Sequence, residues 1–160
     1  MKVQDLITSN VKSCRPETSL AAAAVDMWEN DCGALPVVDG EGKVIGLITD
    51  RDIAIAVGTR GASASQVAVG EVISRNAYCC RMDEDLKAAL KTMRQEKVRR
   101  LPVVNDSGIL QGILSLNDIV LRAEEAKGKR IPELSYEDVI STIKAICEHR
   151  PSEQTSSTGA

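Results

Sequence analysis

With 160 residues, 43% of them hydrophobic and 27% charged, the chain has the makeup of a soluble globular protein holding one compact domain or two small ones. A net charge of −3 and a pI near 5.3 argue against a duplex nucleic-acid binder, and 2% aromatic residues with no Phe cannot build a base-stacking platform for single strands. No apolar signal core precedes residue 12 and no apolar run approaches about 18 residues, so neither secretion nor membrane spanning is expected. The five cysteines, odd in number and irregular in spacing, read as free thiols of a cytoplasmic protein.

From the N-terminus, VQDLI reads as a short helical lead and VKSC as a brief extended piece. SLAAAAVDMWEN follows as a helix of about three turns, with Ser19 at its N-cap and Leu20, Ala23, Ala24 and Met27 on one face. ALPVV and KVIGLI are two strands joined by the tight turn DGEG. TDRDIAIAV then opens a second helix whose Ile53–Val57 stretch is apolar on every side. Such a stretch wants cover on two faces, either within the monomer or from a second copy. GTRGASASQV is a small polar linker.

The chain then repeats itself. LPVV recurs from Leu35 to Leu101, an offset of 66 that holds without a gap from Val3/Val69 to Ala56/Arg122. VGEVI, AYCC, DLKAALKTMRQE, the hairpin RLPVV-NDSG-ILQGIL and the helix NDIVLR fall opposite their counterparts. A two-stranded hairpin with helices cannot bury its apolar faces alone, and a second copy supplies the missing cover. After a polar connector, SYEDVISTIKAICEH opens as a capped helix with Ser135 at the cap and Asp138 three residues on. Its apolar stripe reads as Val139, Ile140, Ile143, Ile146 and Cys147. The tail RPSEQTSSTGA has no apolar content to fold with and is expected to be disordered.

Thr49-Asp50-Arg51-Asp52 sits between two apolar segments and falls opposite Ser115-Leu116-Asn117-Asp118. Both are hydroxyl-x-x-carboxylate, and both join a strand to a helix. A capping box accounts for these residue types by itself: Thr49 or Ser115 caps the helix while Asp52 or Asp118 reaches back to the cap N–H.

With the doubling, LPVVDGEGKVIGLITDRDI and LPVVNDSGILQGILSLNDI make residues 3–122 resemble a pair of CBS domains, a Bateman module. The resemblance implies a mixed α/β (α+β) fold of tandem β-α-β-β-α units packed by pseudo-twofold symmetry, here with an added C-terminal helix. The divisions expected are repeat one over 1–61, linker and repeat two over 62–127, a helical extension over 128–149 and the tail over 150–160. The resemblance also implies clefts that bind AMP, ADP, ATP or another adenosyl ligand, with Asp52 and Asp118 holding ribose hydroxyls. A carboxylate suits that task, because its two oxygens accept from a vicinal diol. Thr49, Ser115 and the helix N-termini then lie near anionic groups.

With so few aromatics, adenine would be held by aliphatic side chains and backbone around Ser13 and Cys79, and at Gly33, Ala34, Leu35, Pro36, Leu101 and Pro102. Phosphates need cations, for which Arg51, Arg99 and Arg100 are the expected ligands in one shared cleft; solvated surface charge is the competing reading. Leu116 and Asn117 weaken the second site, pointing to one strong site and one weak or empty one.

No Cys–His, Ser–His or paired-carboxylate arrangement indicates catalysis. Cys14, Cys32, Cys79, Cys80, Cys147 and His149 lack convergent metal-ligand spacing, and packing explains most of these thiols more simply. The sequence therefore reads as a non-enzymatic regulatory sensor without an obligatory cofactor. It would be a homodimer acting in trans on a partner protein, with neither nucleic acid nor membrane as partner. A ligand-free structural dimer and a thiol- or zinc-dependent sensor remain as rivals.

Overall fold

The computed structural model describes residues 1–73, 77–127 and 132–148. Helix α1 (Leu20–Glu29) leads to the hairpin of β1 (Ala34–Val38) and β2 (Val44–Thr49), and α2 (Asp50–Arg60) closes repeat one. Repeat two adds a two-residue strand β3 (Cys80–Arg81), then α3 (Leu86–Glu96), β4 (Arg100–Val104), β5 (Leu110–Ser115) and α4 (Leu116–Arg122). The chain ends its regular structure with α5 (Tyr136–Cys147).

The copies match in detail. β1 pairs antiparallel with β2, β4 with β5, and both hairpins shift register at the same place, between Val37 and Val38 and between Val103 and Val104. Cys80 pairs in parallel with Val103 as part of β3, and Cys14 forms a single parallel bridge to Val37. The hairpin turns reach left-handed φ at Gly42 (82°) and Gly108 (79°), where a side chain would be strained. They also touch each other: Val44 N–H donates to the Gly108 carbonyl and Leu110 N–H to the Gly42 carbonyl, both at 3.1 Å. This reciprocal pair marks the pseudo-twofold axis.

Two cores lie on either side of that axis, one built on Leu20, Leu35 and Ile48, the other on Leu86, Leu101 and Leu114. The lead segments cross between them. Val3, in a short 3-10 turn, is fully buried in the repeat-two core, whereas Val69, its counterpart, is fully buried in the repeat-one core. The chain therefore spans the axis between residues 3 and 14, and Thr8 exchanges backbone hydrogen bonds with Ile113 at 3.0 and 3.1 Å. A Cβ on Gly112 would stand 2.7 Å from the Thr8 carbonyl oxygen, so glycine is needed there for close backbone approach.

Helix α5 packs on α3 and α4 of repeat two. Its buried stripe is Val139 and Thr142, with Ile143 and Ile146 partly covered. Ile140 is 51% exposed and Cys147 is exposed, which corrects the stripe read from apolar residues alone. The rotation has a polar cause: Thr142 accepts a hydrogen bond from Arg94 Nη1 at 3.1 Å and donates to the Asp138 carbonyl at 2.7 Å. The hydroxyl is thus satisfied while buried. Likewise only Ile53 and Ala56 of the second helix are buried, and Ile55 and Val57 are exposed. The tail and His149 lie outside the described residues.

Candidate functional site

Where the crossing segment leaves β5, it forms one wall of a cleft of about 350 Å³. Thr8, Asn10, Val11 and Lys12 supply that wall, Cys32, Gly33, Ala34 and Pro36 of repeat one a second, and Ile113, Ser115, Asn117 and Asp118 of repeat two the floor. Arg100 and Asp31 complete the rim. A volume of this size, with few polar groups converging between two units, suits a small-molecule ligand.

Asp118 is fixed by the capping box. Its Oδ2 accepts from the Ser115 amide at 2.8 Å and the Ser115 hydroxyl at 2.5 Å, and Ser115 Oγ accepts from the Asp118 amide at 3.3 Å. Asp118 Oδ1 takes part in no hydrogen bond among the described residues and remains available at the cleft. The Thr49–Asp52 box is the same, with 3.0 and 2.6 Å to Asp52 Oδ2. A third copy of this geometry, Ser135–Asp138 at 2.9 and 2.7 Å, starts α5. The motif therefore marks a helix start. What sets Ser115–Asp118 apart is the cavity beside it.

The cations are placed unevenly. Arg100 lines the cleft, its Nη2 standing 3.5 Å from where a Gly33 Cβ would be, and a Cβ there would also lie 2.9 Å from Asp50 Oδ2. Gly33 thus keeps this rim open. Arg51 and Arg99 are exposed and outside the cleft lining, so of the three expected arginines Arg100 is the one that lines this cleft. Lys12, absent from the sequence reading, is a second cation in the lining, its Nζ paired with Asp26 of α1 at 3.0 Å.

Of the adenine positions, Gly33, Ala34 and Pro36 line the cleft. Leu35 and Leu101 are 0% exposed core residues, so strand alternation removes their side chains from any clamp. Pro102 is buried, and Ser13 and Cys79 are half-buried outside the cleft lining. By the repeat offset, the counterpart of the Asn10–Lys12 wall is Asn76-Ala77-Tyr78, and Asn76 lies outside the described residues. Thr49 and Asp52 are half-buried on that side.

Cys14 and Cys80 are packed in the two cores. Burial, reinforced by Asp26, pushes the Cys14 thiol up to about 11. Burial, then Glu84 and Cys79, pushes Cys80 up to about 12, and burial also raises Cys79. Among the described residues no cluster of three or more His, Cys, Asp or Glu is placed to hold a metal, and no helix is long and apolar enough to cross a membrane.

A family model described as CBS domain matches residues 3–58 and 69–125. The chain belongs to the CBS domain family. A CBS domain-containing protein of Bacillus subtilis, YhcV, is 31% identical over 139 residues, 86% of this chain and 97% of its own. Among solved structures, the CBS domain pair of protein MJ0100 in complex with 5′-methylthioadenosine and S-adenosyl-L-methionine superposes with a TM-score of 0.69 at 26% identity, covering 76% of this chain and 94% of the other. CBSX2 in complex with AMP gives 0.67 at 26% identity, covering 75% and 93%. The mixed α+β fold with paired repeats and a C-terminal helix is thus that of a CBS domain pair.

Proposed function

We propose that this protein is a non-catalytic sensor that binds an adenosyl ligand in the Asp118 cleft and, as a homodimer, signals to a partner in trans. The observation that carries the reading is convergence: an available carboxylate oxygen, two cations and the open backbone of the opposite repeat meet in one cavity. Asp118 Oδ1 takes the ribose diol, Ser115 and the first turn of α4 lie beside it, and Val11 and Ile113 sandwich the base against Gly33, Ala34 and Pro36. Arg100 and Lys12 face the phosphate or its substitute. The MJ0100 pair and CBSX2, which hold adenosyl compounds, support the ligand class.

Charge narrows that class. Lys12 and Arg100 are balanced by Asp31 and Asp118 in the lining, and Lys12 is already paired with Asp26. Little positive surplus remains for a triphosphate, which favours AMP or a weakly charged adenosyl thioether over ATP. Thr49 and Asp52 form half of an equivalent site of unequal composition.

Thermal unfolding with AMP, ATP, 5′-methylthioadenosine and S-adenosylmethionine tests the proposal. A ligand at about 100 times its Kd adds about 2.7 kcal/mol, a rise in Tm of roughly 5–10 °C for a domain of this size. AMP or a thioether should produce it and ATP should produce less. No shift with any of the four would leave a structural CBS dimer as the better description.

A further inference from the structure

One turn carries opposite charges in the two repeats. Asp31 and Lys97 stand one offset apart, just past the last helical residues of α1 and α3, and both hold a left-handed φ, 48° and 54°. In repeat two this position serves the fold. Lys97 Nζ donates to the Glu148 carbonyl at 3.0 Å, and a cation suits the C-terminal end of a helix dipole. Asp31 does neither. Its charge has the same sign as the end of α1 that it follows, and its side chain makes no hydrogen bond or ion pair among the described residues. A carboxylate that the turn does not need lies instead on the rim of the Asp118 cleft.

Arg100 stands on the same rim. Its guanidinium likewise makes no hydrogen bond or ion pair among the described residues, and its Nη2 reaches up to Gly33, two residues on from Asp31. Lys12, the other cation of the lining, is already held by Asp26. The rim thus offers one uncommitted anion and one uncommitted cation on either side of a single turn. Behind that turn Asp50 Oδ2, 2.9 Å from where a Gly33 Cβ would be, adds negative charge.

An arginine alone accepts a phosphate or a carboxylate, since both offer paired oxygens to its fork. A free carboxylate beside it separates the two cases. It repels a second and third phosphate, and it attracts an ammonium. The group that presents an ammonium and a carboxylate on one carbon is the α-amino acid.

We infer that Asp31 and Arg100 clamp the amino-acid end of an adenosyl amino acid, Asp31 taking the ammonium and Arg100 the carboxylate, and that Asp31 makes the cleft prefer such a tail to a chain of phosphates. The inference rests on the adenosyl reading above and adds the chemistry at the 5′ end and the residue that selects it. Isothermal titration of the full chain with 5′-methylthioadenosine, S-adenosylhomocysteine and ATP tests it. The first two share a nucleoside and a thioether, and only the second carries the charged tail. Asp31→Asn introduces a residue at ease with a left-handed φ, and Asp31→Lys copies what repeat two holds in the same conformation, so the fold tolerates both.

The parent should bind S-adenosylhomocysteine about fivefold more tightly than 5′-methylthioadenosine, and ATP more weakly than either. Asp31→Asn should abolish the advantage of the tail. Asp31→Lys should abolish it too and strengthen ATP binding, a gain that shrinks as salt is added. Affinity for 5′-methylthioadenosine should stay the same in both variants. A tail that brings no advantage in the parent, or one that survives Asp31→Asn, overturns the clamp and leaves the adenosyl reading standing. Equal losses for both thioethers in Asp31→Asn would make Asp31 a structural residue and overturn the selection. A parent that binds neither thioether overturns the adenosyl reading and the clamp with it.

Discussion

Three equivalent capping boxes allow ligand binding at Asp118 to be separated from helix capping. Replacing Asp118 by Ala removes two hydrogen bonds at the start of α4, those to Oδ2 from the Ser115 amide and hydroxyl. Loss of such a cap costs about 1 kcal/mol, a fraction of the roughly 5–15 kcal/mol that holds a domain folded. Asp138→Ala removes the same bonds from α5, far from the cleft lining, and should cost about the same stability. The variants part company at the ligand. Asp118 Oδ1 offers a charge-assisted bond to a ribose hydroxyl, worth about 1.5–3 kcal/mol, so AMP affinity should fall at least tenfold and up to a hundredfold or more. Asp138→Ala should leave it unchanged. Isothermal titration with AMP, beside urea unfolding of each variant, measures both quantities. Equal affinity in the parent and Asp118→Ala, or equal losses in the two variants, would show that the carboxylate acts only as a cap.

Lys12→Ala should weaken AMP severalfold while leaving adenosine binding unchanged, since only the former carries a phosphate for the ammonium; equal loss for both would place Lys12 elsewhere. Gly112→Ala forces a Cβ to within 2.7 Å of the Thr8 carbonyl oxygen and should cost about 1–3 kcal/mol. Gly46→Ala meets side-chain atoms and no backbone, Ile73 Cδ1 at 2.6 Å with its Cβ and Cγ1 at 3.4 Å, and should cost less, a ranking that urea titration reads directly. Iodoacetamide at pH 8 should label the exposed Cys147 first and reach Cys14 and Cys80 only on unfolding, as peptide mapping will show. Because folding raises the values of those two thiols from 9.0 to about 11 and about 12, it favours their protonated forms. Their contribution to stability is complete below pH 9 and is lost as pH climbs through 11 and 12; an unfolding free energy that rises over that interval would contradict the burial.

Much of the architecture is written in the repeat. The 66-residue offset, the caps at Ser19 and Ser135 and the glycine turns give the helices and hairpins at nearly their observed positions. What repetition hides is which copy a segment serves. Val3 and Val69 look like the first residues of their own repeats, yet each fills the core of the other, because an apolar side chain specifies burial and not the partner that buries it. That crossing is also why the Thr8–Lys12 wall escaped notice: Lys12 matches Tyr78 in the other copy, so the alignment of repeats offered no charge to follow. The paired positions Leu35 and Leu101 show the converse failure. Motif membership drew them toward the ligand, while the period of two in a strand assigns Ala34 and Pro36 to the cleft and the leucines to the interior.

The exchanged lead segments also govern how the protein can be cut. Nicking the polar linker around residues 61–66 would leave Val67 and Val69 seated in the repeat-one core and Val3 in the repeat-two core, a mutual clasp. The halves would stay hooked through that clasp, whereas either one expressed alone would have an open seam where the other's leading residues belong. For a protein of this design the smallest heritable unit is the sequence repeat, but the smallest unit that holds together in water is the pair.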